Sequence, residues 1–217
     1  MSVKMLTFPS REEWLQARKN TIGGSDASAV IGMNPYKTNV DLWAEKTGLV
    51  TPEDISDKPY VKYGHDTEPL LRELFKLDFP EYEVFYEENN YFWNEKYPWG
   101  HFSADGWLKD QNGRRGILEI KTTEILQSMQ KEKWNHRIPD NYYIQILHGL
   151  LIMEADFAIL KAQLKTVFDG VPYLQTKHYL IERSEVEADI EFLKSSENDF
   201  AHNIINRQRP ALILPDF

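Results

Sequence analysis

The chain has 217 residues, 41% hydrophobic and 27% charged, which suits a single globular domain, 1–217, with a substantial core. It contains no cysteine, which excludes disulfides, thiolate zinc sites and iron–sulfur clusters, and no apolar run approaches the length of a membrane span. No apolar N-terminal stretch follows basic residues as in a secretion signal, so a cytoplasmic protein is expected. The net charge of −9 argues against a coat of phosphate-binding lysines, yet the acidity is uneven. Residues 51–100 carry 5 basic and 12 acidic side chains and residues 151–217 carry 7 and 11. Residues 1–50 and 101–150 are near balance, at 6 against 5 and 7 against 6, so a groove for an anionic polymer would lie there.

In chain order, Ser25 is placed to cap a short helix through DASAVIG that stops near Gly32. Residues 39–47 read as a second helix with Gly48 as its stop. Residues 51–59 read as a polar loop, and a third helix is expected from about Thr67 to Leu77, with Pro69 in its first turn. Strands follow in YEVFYEE, HFSADGWL and GILEIKTT. Helical stretches are expected at 124–136 and 140–153, separated by Pro139. Two more strands, FAILKAQLKT and TKHYLIER, precede a helix from Ser184 to about Arg207 that opens on a Ser184/Glu187 capping box. This order predicts an α/β (α+β) single domain with a central mixed β-sheet flanked by helices.

The chemistry concentrates in HFSADGWLKDQNGRRGILEIKTT, which reads as a hairpin turning at Asn112-Gly113. A two-residue loop would set Asp105 opposite Ile120; a three-residue loop with Gly113 left-handed would set it opposite Glu119. Only the second register brings Asp105, Glu119 and Lys121 to one face, and the strand sequence permits it without demanding it. Two carboxylates suit a hard cation such as Mg²⁺, and a lysine beside them can hold an attacking water or a developing oxyanion. An isolated E-x-K is more often a salt-bridged pair on a solvated strand.

Asp105, Glu119 and Lys121 form D-x13-E-x-K, which resembles the PD-(D/E)xK nuclease signature, with Ala104 where that signature has proline. RKNTIGGSDASAVIGMNPYKT, GHDTEPLLRELF and YYIQILHGLLI resemble, in order, further motifs of lambda-type exonucleases, the YqaJ-like viral recombinase family. The resemblance spans residues 14 to about 152 and leaves the C-terminal strands and helix, 156–207, without a motif. It implies a restriction-endonuclease-like core and Mg²⁺-dependent digestion of double-stranded DNA from 5′-phosphorylated ends, with Mn²⁺ as a substitute. Glu68, Asp105 and Glu119, with the Ile120 carbonyl, would hold the metal. Lys121 would orient or activate water, and Gln145 would support the site. Arg18 and Ser25 would meet a 5′-phosphate, and Lys37 could contact DNA. The resemblance also implies a role in phage recombination inside a host cell, a single-strand annealing partner and a ring-shaped homotrimer. A structure-specific or nicking endonuclease of the same fold, and a non-catalytic DNA- or protein-binding module, are the competing readings.

Overall fold

The computed structural model describes residues 2–214. Two sheets organise the chain. The smaller comprises β1 (Val3–Thr7), β3 (Asn90–Asn94) and β4 (His101–Phe102), in the order β1-β3-β4. The larger comprises β2 (Glu83–Phe85), β5 (Gly106–Lys109), β6 (Arg115–Glu124), β7 (Phe157–Phe168) and β8 (Val171–Glu182), in the order β2-β5-β6-β7-β8. The β6–β7 pair is parallel and the other pairs of this sheet are antiparallel, which makes it mixed as expected. The helices are α1 (Arg11–Arg18), α2 (Gly24–Val30), α3 (Asn39–Lys46), α4 (Pro59–Asp78), α5 (Ser128–Glu132), α6 (Asp140–Met153) and α7 (Glu187–Ile205).

Strand alternation explains which helix covers which face of the large sheet. Leu118 and Ile120 of β6 pack with Leu71 and Phe75 of α4, while Ile117 joins the cluster of Ile146, Leu147 and Leu150 from α6. The helix α6 is the crossover that a parallel β6–β7 pair requires. On its outer side it meets Ile190 and Leu193 of α7 in the same cluster.

The hairpin takes the three-residue register: Gly106 pairs with Leu118 and Lys109 with Arg115, which sets Asp105 opposite Glu119. Gly113 adopts φ +79°, the left-handed position such a loop needs. Several sequence expectations are corrected. Ser25 is not a cap; Gly23 is the N-cap of α2, and Asp26 Oδ2 accepts the Gly23 N–H at 3.0 Å. A Cβ on Gly23 would lie 2.9 Å from His101 and one on Gly24 2.9 Å from Phe102, so close packing demands glycine at both places. The third helix starts at Pro59 rather than Thr67, and Pro69 lies in its interior. His65 and Pro69 are both exposed, so the His65 carbonyl left without a donor faces solvent.

HFSADGWL is not one strand but two, β4 and β5, broken at 103–105. Residues 124–136 hold only the short α5, because β6 runs on to Glu124. Ser184 lies in a 3-10 turn, and Glu187 pairs with Arg183 at 2.9 Å instead of closing a capping box. The strands β1 and β3 and the helix α1 were not anticipated; β1 and β3 pair across more than eighty residues of chain, beyond the reach of a local pattern.

Candidate active site

At the end of β5 the large sheet loses a strand, and the backbone of β6 is left open on that side. Asp105 fills the gap: its Oδ2 accepts the Ile120 N–H at 2.8 Å. The position of Asp105 is fixed from the small sheet. Buried Asn90 accepts the Ala104 N–H at 2.8 Å and donates to the Ala104 carbonyl at 2.9 Å. A proline at 104 would have no N–H to give Asn90, which accounts physically for alanine at that point of the motif.

Alternation on β6 turns Glu119 and Lys121 toward α6, away from Leu118 and Ile120. Glu119 is 1% exposed. Its Oε1 accepts from Lys121 Nζ at 2.5 Å and from Gln145 Nε2 of α6 at 2.5 Å, and its Oε2 is buried without any partner. Burial first, and then Asp105, push the Glu119 carboxyl up to about 8, against the opposing pull of Lys121. Burial opposes the Lys121 charge, but Glu119 and Asp105 outweigh it and hold the ammonium above its ordinary value. Glu68 lies on α4, and burial and then Asp105 raise its carboxyl too.

Arg72 joins these elements. Its guanidinium donates to Glu68 Oε1 at 3.0 Å and to the Asp105 carbonyl, and it lies 3.4 Å from the centroid of the Tyr86 ring. The residue is 4% exposed. Sequence reasoning missed it, although its place four residues after Glu68 on a helix was a usable signal.

The donor set fits a divalent cation. Asp105 raises the carboxyls of both Glu68 and Glu119, three acids against the two cations Arg72 and Lys121, and Glu119 Oε2 is buried with no donor among the described residues. Among the described residues, no three acidic or imidazole side chains already converge as an ion cage. Glu68 is held by Arg72 and Glu119 Oε1 by Lys121 and Gln145.

Beside this cluster a cleft of about 480 Å³ is lined by Arg11, Trp14, Arg18, Ser25, Glu68, Arg72, Asp105 and Gln145, among others. The structure therefore gathers Arg18, Ser25, Glu68, Asp105 and Gln145 around one space, with Glu119 and Lys121 bonded behind Gln145. Arg18 is half-buried, its Cζ 3.9 Å from the Trp14 ring centroid. Trp14, also missed, is anchored by its indole N–H to the Asn90 carbonyl at 2.9 Å. Lys37 does not line the cleft, and its ammonium lies 2.5 Å from Glu45.

A family profile of the YqaJ-like viral recombinase domain matches residues 13–156. The uncharacterized protein YqaJ of Bacillus subtilis (strain 168) is 29% identical over 203 residues, 94% of this chain and 59% of that protein. The chain thus spans about three fifths of that relative's length. An alkaline exonuclease of Laribacter hongkongensis, LHK-Exo, superposes with a TM-score of 0.62 at 15% identity, covering 91% of this chain and 96% of that one. The same exonuclease in complex with dAMP gives 0.61. A phage-related exonuclease of Haemophilus somnus 129PT gives 0.51 at 13% identity, over 86% of this chain and 96% of that one. At these identities the solved structures establish a shared fold.

Proposed function

The chain belongs to the YqaJ-like viral recombinase family, and from that premise we propose a Mg²⁺-dependent exonuclease that digests linear double-stranded DNA from 5′-phosphorylated ends. It would leave 3′ single strands for phage-type recombination inside a host cell. The observation that carries the reading is the shared face of Asp105, Glu119 and Lys121, with Glu119 Oε2 buried and unpartnered, at the edge of a cleft that also holds Arg18. The cleft volume falls within the range of about 300–1,000 Å³ usual for small-ligand sites. A nucleoside monophosphate, such as the dAMP bound by LHK-Exo, is a ligand of that class.

Asp105, Glu119 and Glu68, with the Ile120 carbonyl, would hold the cation, which supplies charge neutralisation at the scissile phosphate and a lower pKa for the attacking water. Lys121, one-fifth exposed beside Glu119, orients that water and steadies the developing negative charge. Gln145 fixes Glu119 through its amide N–H. Arg18 offers a planar pair of donors to a terminal phosphate, and the exposed Ser25 lines the same cleft.

We extend the proposal to assembly. Lys37 and Arg114 already have acidic partners, Glu45 for the former and Asp110 and Glu182 for the latter. Both are thereby less available to a duplex, and binding by counterion release needs several cations. A ring-shaped homotrimer would multiply the exposed Lys131 and Lys133 around DNA, and a single-strand annealing protein would take the product strand. No helix among the described residues is long and apolar enough to cross a membrane.

The test is incubation of pure protein and Mg²⁺ with linear, nicked and covalently closed circular duplex, with and without 5′-phosphate. Consumption of the linear form alone supports the exonuclease. Linearisation or nicking of closed circles would instead assign an endonuclease, and binding without hydrolysis a non-catalytic module. Light scattering of the active protein should give the mass of three chains; a single-chain mass with distributive digestion removes the ring and leaves the nuclease.

A further inference from the structure

The guanidinium of Arg18 has an unusual set of neighbours. One face lies on Trp14, and its Nε is 3.1 Å from Nε2 of His101. Guanidinium groups only donate, so Nε2 of His101 is the bare ring nitrogen and Nδ1 carries the proton. That proton is directed at Thr21 Oγ1, 2.8 Å away, and Thr21 in turn lies 3.2 Å from the Tyr91 hydroxyl. The imidazole is 1% exposed and stacks flat on Tyr91, with centroids 4.7 Å apart and planes 2° from parallel. Its edge is closed by the Gly23 backbone, where a Cβ would come within 2.9 Å of the ring. From behind, His148 Nε2 lies 2.8 Å from the His101 carbonyl. The ring has no room to turn, and its acceptor nitrogen is fixed toward α1.

The nearby carboxylate is withheld from Arg18. Asp26 Oδ2 is taken by Lys46 Nζ at 2.7 Å and by the Gly23 N–H at 3.0 Å. Lys46 also donates to the Thr21 carbonyl at 2.8 Å, closing the loop that carries this arrangement. The Arg18 side chain is in contact with Trp14 and His101, both uncharged, and Asp26 acts on its charge only without a direct bond. Burial, and then the neighbouring cations Arg18, His148 and Lys46, hold the His101 imidazole well below its ordinary value and so neutral.

We propose that His101 is the positioning residue for Arg18: it orients the guanidinium through Nε while leaving its charge free for an incoming phosphate. A carboxylate in this place would orient the group equally well, but it would form a charge-assisted pair and compete with the phosphate. The neutral acceptor avoids that competition, so His101 sets the preference for phosphorylated over hydroxyl ends. This inference rests on the reading of Arg18 as the group that meets the 5′-phosphate.

The test measures initial rates on 5′-phosphorylated and 5′-hydroxyl linear duplexes for the wild type, Arg18→Ala, His101→Phe, His101→Gln and His101→Glu, each checked for a folded state by thermal melting. His101→Phe keeps a flat ring against Tyr91 and removes the acceptor, so the phosphate preference should fall by about tenfold or more, the size of one lost hydrogen bond to a charged group. His101→Gln, whose amide oxygen can accept from Nε, should retain most of the preference. His101→Glu should lose it, because its carboxylate competes. A folded His101→Phe protein with the wild-type preference overturns the proposal, as does a His101→Gln protein that loses it as fully as His101→Phe. Should the variants not fold, histidine ¹⁵N spectra of the wild type at neutral pH decide: a neutral Nδ1–H ring supports the proposal, and an Nε2–H ring or an imidazolium refutes it. If Arg18→Ala slows both substrates equally, the phosphate-reading role of Arg18 fails and this inference falls with it. If Arg18→Ala abolishes the preference and His101→Phe does not, the role of His101 alone is lost.

Discussion

Replacing Asp105 with alanine separates chemistry from folding more cleanly than any other single change in the cleft. The carboxylate makes one structural bond, from the Ile120 N–H at 2.8 Å, and its loss leaves that N–H without its partner at the open side of β6. A hydrogen bond to a charged group contributes about 1.5–3 kcal/mol. Against this stands a gain: Asp105 is a cause, after burial, of the raised carboxyls of Glu68 and Glu119, so its removal relieves repulsion among three acids. The two effects oppose, and the net loss should stay below about 2 kcal/mol, or about 8 °C in melting temperature for a chain of this size. Activity should fall by about 10²-fold or more, the scale on which one charge-stabilising group acts. Calorimetry should also show weaker Mg²⁺ or Mn²⁺ binding. Melting in EDTA, metal titration and hydrolysis of linear duplex, run on the same preparation, give the three readouts. A variant that keeps activity within about tenfold of wild type, or one that loses activity only because it unfolds, refutes the reasoning.

Lys121→Met keeps an unbranched apolar side chain but removes the ammonium that meets Glu119 and faces the Tyr142 ring, so hydrolysis should drop by orders of magnitude with the fold retained; full activity in this variant refutes the role of Lys121. Mg²⁺ at about a hundred times its dissociation constant should stabilise the protein by about 2.7 kcal/mol, and Glu119→Gln should abolish that shift in a thermal melt. The fully buried His148–Glu197 pair, 2.7 Å apart, ties α6 to α7, and Glu197→Leu should cost about 3–5 kcal/mol in urea denaturation near neutral pH. Burial opposes the His148 charge, but Glu197 outweighs it and raises the imidazole; stability from this pair is thus complete below the ordinary histidine value and lost as pH rises through the raised one. The deficit of Glu197→Leu should therefore shrink as pH rises above the ordinary histidine value and through the raised one, and an unchanged deficit refutes the assignment.

How much of this was legible in the sequence follows from the range of the interactions. Successive side chains of a strand point to opposite faces, so Glu119 and Lys121 could be put on one face from their spacing alone, and α6 brings the Gln145 amide to Glu119. The register of the hairpin was open between two loops, and the pairing of Lys109 with Arg115 decides it, with Gly113 but not Asn112 left-handed. The convergence of Arg18 and Asp105 on one cleft, by contrast, depends on β1–β3–β4, a sheet assembled from strands far apart in the chain. Asn90, which pins the Ala104 peptide, and His101, which meets Arg18, belong to that sheet and had no local signature. The early start of α4 was hidden by Pro59, read as loop when it serves as the first helical residue, a place where proline is well suited. Arg72 carried a local signal in Glu68 one turn away, but its second partner, the Asp105 carbonyl 33 residues on, had none.

The most direct measurement follows the two strands of a linear, 5′-phosphorylated duplex labelled separately at its 5′ and 3′ ends, with Mg²⁺ and with EDTA. The proposed site should release the 5′ label early as a small product, retain the 3′ label on a shortening duplex with a growing single strand, and do nothing in EDTA. Loss of the 3′ label first, equal digestion in EDTA, or an intact duplex under all conditions would contradict it.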